Sequence, residues 1–219
     1  MTKMTNITHH LTDELIMGYS TGQLSEAVEL LIATHISMCD DCRAAMDSFD
    51  ALGGALLEGD SQKTAPVEMS DASLEATLAL INALPPLETA KPASNLPAPL
   101  DNYIGGDLDN VKWRPVGLGV RQAVLQTEGD AVARLLYIPA GVGVPQHSHG
   151  GMELTLVLQG AFSDADGRFG PGDVEIADED TDHAPVADPS EDCICLAVTD
   201  AALKFKSLLP RLVQPFVGI

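Results

Sequence analysis

The sequence predicts an α + β protein of two units, an all-α N-terminal unit followed by a β-barrel of jelly-roll type, and three observations carry that expectation. Apolar residues recur at helical spacing up to residue 84. Five prolines then fall between residues 85 and 99 in a stretch with no apolar period. From residue 103 onward the chain breaks into short β-rich runs punctuated by glycine and proline, the texture of a sandwich or barrel.

Residues 12–57 read as helices. Leu15, Ile16 and Tyr19 form a short apolar stripe. Ser25 and Glu26 offer a cap with an acidic first turn, and Val28, Leu31, Ile32 and His35 follow at helical spacing. A third helix opens at Asp40 and Asp41 and presents Ala44, Met46, Phe49, Leu52 and Leu56, with an interruption expected at Gly53-Gly54. After a polar break, Asp71 can cap a fourth helix carrying Leu74, Leu78, Ile81 and Leu84, which stops at Pro85-Pro86. The division is therefore a helical unit over 1–84, a semi-extended proline-rich linker over 85–100 and a β unit over 101–219. Strands are expected at 131–138, 154–158, 174–176 and 193–198, and the apolar tail at 208–219 is expected to dock on a core.

The composition is that of a soluble globular protein of 219 residues and 23.0 kDa. Its net charge of −20 excludes direct binding to nucleic acid or to an anionic membrane surface, both of which need clustered Lys and Arg, and favours a basic protein partner. Residues 1–60 hold ten acidic and two basic residues, net −8, so −12 remains for the rest and both parts can face a positive surface. No run approaches the ~18 apolar residues of a membrane helix, and the first residues lack the pattern of a secretory signal, so a cytoplasmic location is expected. The four cysteines fall in two close pairs, Cys39 with Cys42 and Cys193 with Cys195, a spacing suited to metal binding or redox chemistry in a reducing compartment.

His35-x3-Cys39-x2-Cys42 is the first cluster with metal-ligand spacing. If one helix runs through it, the three residues share a face. If the helix breaks at Met38, the thiolates straddle the turn into the next helix, and the ligands converge either way. The fourth donor must come from the N-terminal arm, where His9 and His10 are the available imidazoles. Two thiolates and two imidazoles make a closed tetrahedral zinc site, which is structural or regulatory, not hydrolytic. In so small a unit metal binding and folding are linked.

His10 with His35-x3-Cys39-x2-Cys42 on a short helical domain resembles the zinc-binding anti-sigma domain, and with the β unit behind it the whole chain resembles the ChrR anti-sigma factors. The resemblance implies zinc ligands at His10, His35, Cys39 and Cys42. It also implies a cytoplasmic protein whose N-terminal helices bind a group IV, extracytoplasmic-function sigma factor and hide its polymerase-binding surface, with singlet oxygen and related organic peroxides as the signal.

The second cluster, Gly141-x5-His147-x-His149-x3-Glu153-x6-Gly160, is the full first motif of the cupin barrels, and Gly170-Pro171-Gly172-Asp173 followed by His183 is similar to the second. The second match departs from the family in lacking the closing Asn and in the acidic Asp178-Glu179-Asp180 before His183. Three imidazoles and a carboxylate suit zinc, iron, manganese or nickel. The resemblance to ChrR proteins implies zinc, with another divalent metal as the alternative.

Cys193 and Cys195 lie two apart on a strand and face the same side, either as two small buried hydrophobes or as an oxidant-sensing dithiol. Leu74, Leu78 and Ile81 are candidate anchors for the sigma factor, or else internal core. The leading expectation is a non-enzymatic anti-sigma factor whose cupin domain senses oxidant. The competing expectations are a cupin metalloenzyme, a small dioxygenase or isomerase, and a metal-binding module with neither partner nor turnover.

Overall fold

The computed structural model describes residues 7–61, 70, 72–85, 96–106 and 108–205. The predicted tail at 208–219 lies outside them. Five helices come first: α1 Asp13–Ser20, α2 Glu26–Met38, α3 Asp40–Ser61, α4 Ser73–Ala83 and α5 Ala98–Ile104. Thr12 caps α1 by accepting from the Leu15 N–H, ahead of an acidic first turn at Asp13 and Glu14. Ser25 holds the N-cap position of α2 in extended conformation, but its side chain makes no capping bond.

Of the two alternatives for this stretch, the structure shows the break at Met38. Cys39 leaves helical geometry at φ −115° and ψ 112°, and α3 starts at the next residue. Its sulfur then takes the place of an N-cap oxygen, accepting from the Cys42 N–H at 3.5 Å. The interruption expected at Gly53-Gly54 does not occur, and α3 runs straight through both glycines. A helical glycine costs only backbone entropy, about 1 kcal/mol, where no tertiary contact bends the chain. α4 begins at Ser73 with Ala72 as N-cap, while Asp71, the predicted cap, lies outside the described residues. α5 is a helix within a stretch read as proline-rich and extended: Pro97 and Pro99 sit in its opening turn, where a missing N–H is harmless, and Gly105 ends it in left-handed conformation at φ 76°.

The β unit has twelve strands: β1 Arg114–Gly117, β2 Val120–Val124, β3 Val132–Ile138, β4 His147–Ser148, β5 Glu153–Gln159, β6 Phe162–Ser163, β7 Arg168–Phe169, β8 Val174–Ala177, β9 Asp182–His183, β10 Val186–Ala187, β11 Cys193–Thr199 and β12 Lys204–Phe205. An antiparallel six-stranded sheet of order β1-β2-β3-β11-β5-β8 forms one layer, and two three-stranded ladders, β10-β6-β7 and β12-β4-β9, form the other. This is a jelly-roll sandwich, not a continuously hydrogen-bonded barrel.

Alternation divides the six-stranded sheet. Ala133, Leu135, Leu154, Leu156, Leu196 and Val198 join Ala27, Leu31, Ile32 and Leu100 of α2 and α5 in one core. Ile138, Val157, Cys193 and Cys195 join Phe162 and Phe169 in a second core inside the sandwich. The helical unit and the sheet are thus fused along α2 and do not hang together by the linker alone. Glu26, at the start of α2, adds polar ties by accepting from the Tyr103 hydroxyl at 2.8 Å and from the Glu128 N–H.

Two parts stay outside these cores. Leu52, Leu56 and Leu57 in the second half of α3 are exposed, and no residue of α4 is buried. Leu74, Leu78 and Ile81 are 63%, 48% and 56% exposed, which removes the core alternative for them in this chain by itself. Leu31, fully buried between α2 and the sheet, tests the fused core. Leu31→Ala should lower unfolding stability by about 2–5 kcal/mol in a denaturant titration, and helical and sheet signals should still be lost together.

Candidate metal centres

The N-terminal arm enters the first site as an added edge on the sandwich. The Thr8 and His9 N–H groups donate to Asp173 Oδ1 at 2.7 and 2.9 Å, and the His9 carbonyl accepts from the Val174 N–H at 3.1 Å. The chain bends at His9, and the side chains of His9 and His10 leave it in different directions. His9 turns away, stacking on Phe169 at a centroid distance of 4.3 Å, while His10 turns toward the cysteines. That resolves which arm histidine reaches the cluster.

His10 Nδ1 lies 3.3 Å from Cys39 Sγ and 3.7 Å from Cys42 Sγ, and His35 Nε2 lies 3.2 Å from Cys42 Sγ. All four donor atoms fall within 4.8 Å of one another. A tetrahedral zinc with bonds of about 2.0–2.3 Å needs donors about 3.3–3.8 Å apart, so the set fits. The His35 Nδ1–H donates to the Gly172 carbonyl at 2.9 Å, which fixes the tautomer that turns the Nε2 lone pair inward. Burial drives the His35 pKa down to about 4, leaving the imidazole neutral, and burial drives the Cys42 thiol up to about 11. At the start of α3 the Cys42 N–H points at the Cys39 sulfur, favouring thiolate there once a cation is present.

In the second site, β4 and β9 pair with His147 directly opposite His183, and Glu153 opens β5 across the sandwich. His183 Nε2 is 3.1 Å from His147 Nε2, and His149 Nε2 is 3.6 Å from Glu153 Oε2. The donor atoms of all four again lie within 4.8 Å, and all four residues are buried. His149 Nε2 is buried with no hydrogen-bond partner among the described residues, the condition expected of a nitrogen shaped for a cation. The His147 and His149 Nδ1–H groups donate to the Pro145 and Asp178 carbonyls at 2.8 and 3.2 Å. His183 differs, because its Nδ1 meets Glu175 Oε1 at 2.9 Å and Asp164 Oδ2 at 3.2 Å.

Burial holds His147 down at about 4, whereas His183, which burial would also lower, is raised to about 9 by the Glu175 hydrogen bond and charge. Glu153 is raised by burial, against the pull of His149, His183 and Arg134. Arg134 is itself buried on β3, donating to Gln122 Oε1 and Thr199 Oγ1. Three imidazoles and a carboxylate suit a divalent first-row metal without selecting one.

Cys193 and Cys195 are free thiols with sulfurs 3.4 Å apart, both wholly buried on the inner face of β11. The Cys193 hydrogen bond and burial raise the Cys195 thiol well above its ordinary range, so it reacts as a thiolate only if the sandwich opens. Trp113 stacks edge-on against Tyr137 at 6.0 Å, a structural contact. Glu175, Asp164, Gly172 and Asp173 were not singled out as positioning groups from sequence. Their roles come from pairing across the fold, and only the alternation on β8, which turns Glu175 to the opposite face from Val174, hints at one of them.

The structure of Rhodobacter sphaeroides SigE in complex with the anti-sigma ChrR is 51% identical in the matching chain, covers 89% of this chain and 100% of that one, and superposes with a TM-score of 0.77. The anti-sigma-E factor ChrR of Cereibacter sphaeroides is 52% identical over 217 residues, 97% of this chain and 99% of that protein. This chain belongs to the ChrR anti-sigma factor family. Residues 102–202 match the ChrR cupin-like domain, which contains the whole second cluster. Among the described residues no helix is long and apolar enough to cross a membrane.

Zinc capture at the first cluster must expel the Cys42 proton, since the metal-free thiol holds it and the bound thiolate does not. Affinity should therefore rise with pH from about 6 to 9, by about tenfold per unit for each proton expelled. Chelator competition across that range checks the sign. His35, already neutral there, should add nothing to the slope.

Proposed function

We propose that this chain is a non-enzymatic anti-sigma factor that binds a group IV, extracytoplasmic-function sigma factor in the cytoplasm, holds it inactive, and releases it on an oxidative signal such as singlet oxygen received by the cupin domain. The observation that carries the reading is α4, an eleven-residue helix with Leu74, Leu78, Leu80, Ile81 and Leu84 exposed together. Apolar side chains gathered on one short helix mark an interaction site. The exposed leucines of α3 offer a second apolar surface, and the chain's charge of −20 suits a basic partner and speeds its encounter. The relative seen in complex with SigE supplies the class of partner.

In this reading His10, His35, Cys39 and Cys42 hold a zinc ion that braces the ends of α2 and α3 and the N-terminal arm. Four protein donors leave that ion no vacant position for a substrate. His147, His149, Glu153 and His183 hold a second ion, zinc or another divalent metal, as the receiving site. The buried Cys193/Cys195 pair is a candidate second target of oxidant, reached when the sandwich loosens.

Co-expression with a group IV sigma factor and size exclusion should give a 1:1 complex. Leu78→Asp with Ile81→Asp should weaken it about 30-fold or more while leaving zinc content and folding unchanged, as loss of hot-spot anchors predicts. A complex insensitive to that pair moves the interface off α4, and indifference to every such sigma factor defeats the anti-sigma reading. Glu153→Ala should leave the complex intact but stop its dissociation under singlet oxygen.

A further inference from the structure

The two clusters are joined by one short piece of backbone, residues 172–175. At its first residue the Gly172 carbonyl accepts from the His35 Nδ1–H at 2.9 Å, setting the imidazole of the first site. At the next, the Asp173 carboxylate accepts from the Thr8 and His9 N–H groups at 2.7 and 2.9 Å and so places His10, the arm's donor to the same site. Val174 donates its N–H to the His9 carbonyl at 3.1 Å. Glu175 then points into the sandwich and takes the His183 Nδ1–H at 2.9 Å, setting an imidazole of the second site.

This segment cannot yield at one end alone. Gly172 N–H donates to the Val157 carbonyl at 2.8 Å, the Val157 N–H donates to the Asp173 carbonyl at 3.0 Å, and Glu175 pairs with Thr155 in the β5–β8 ladder. Gly172 has φ +94°, and a Cβ there would come within 2.6 Å of the Ile7 side chain, so the arm is pressed on the turn itself.

We propose that residues 172–175 couple the two clusters energetically, so that metal occupancy at His147, His149, Glu153 and His183 strengthens metal binding at His10, His35, Cys39 and Cys42, and the reverse. Glu175 and Asp173 are the positioning residues. A bound cation at the second site fixes His183 as a neutral donor to Glu175 and stiffens β8. The stiffened strand holds the Gly172 carbonyl and the Asp173 carboxylate where His35 and His10 need them. Hydrogen bonds of this kind set metal affinity by 10–100-fold, and coupling between sites is reciprocal by linkage. This inference rests on the reading of both clusters as metal sites, and it does not depend on the sigma factor.

Cobalt(II) separates the sites, because only the first has thiolates and so only it gives a sulfur-to-cobalt charge-transfer band. The full chain loaded with cobalt is challenged with a chelator, and decay of that band is followed in the unsubstituted protein, in His147→Ala, in Asp173→Asn and in the double variant, each checked for folding by circular dichroism. His147→Ala should speed the decay about 5-fold or more. In the Asp173→Asn background, where the link to the arm is already cut, it should add much less. Asp192→Asn, at the far end of the sandwich, should change nothing. Should His147→Ala not fold, Cys39→Ser with the cobalt absorption of the second site asks the reciprocal question. Decay within roughly twofold of the unsubstituted rate in a folded His147→Ala, or fully additive effects in the double variant, overturns the coupling alone. Absence of the thiolate band from the unsubstituted protein overturns the metal reading, and the coupling with it.

Discussion

Burial of α2 against the six-stranded sheet is the constraint from which the rest of the molecule follows. Ala27, Val28, Leu30, Leu31, Ile32, Thr34, His35 and Ile36 are all buried, so α2 is apolar on most of its circumference and must be enclosed on several sides. The sheet supplies one wall, and α1, α3 and α5 supply others. Because His35 belongs to this helix and Cys39 ends it, enclosing α2 also places the first metal cluster against the β7–β8 turn. Neither unit has a free face there, and the register of the helix on the sheet decides whether His35 finds the Gly172 carbonyl.

The two clusters share one design at the level of the imidazole. His35, His147, His149 and His183 each have Nδ1 held by an oxygen and Nε2 turned inward, and where that oxygen is a carbonyl it selects the tautomer before any cation arrives. The oxygens are not equivalent. Carbonyls hold His35 and His147, and burial keeps both neutral with pKa values near about 4. Carboxylates hold His183, which is raised to about 9 and carries a proton that a metal must displace. The price is a buried Glu175 raised to about 7 by its surroundings, a charge economy that a cation at the site would relieve.

Against this enclosed body α4 has the opposite character. It buries none of its residues, and a helix of that length is marginal in water without tertiary support. Its leucines therefore gain more from a partner than from the chain's own core, and the exposed half of α3 offers a second apolar surface in reach of the same partner. The molecule thus separates an enclosed part that carries both donor clusters from an apolar part left open to association.

Local pattern alone determined much of this protein. Helical periodicity located α1 to α4, the change to short β runs located the sandwich, and the spacings His35-x3-Cys39-x2-Cys42 and His147-x-His149-x3-Glu153 named most residues of both clusters, because those donors are brought together across one turn between helices or one short connection between strands. Tertiary structure decided the rest. Pro97 and Pro99 opened a helix because α2 offered Leu100 a buried place, Gly53 and Gly54 stayed helical because nothing bent them, and His10 displaced His9 because the arm's pairing with Val174 set which side each faced. Gly172, Asp173 and Glu175 acquired their roles from hydrogen bonds to residues 8–165 positions away in the chain, contacts that leave no period or spacing in a sequence.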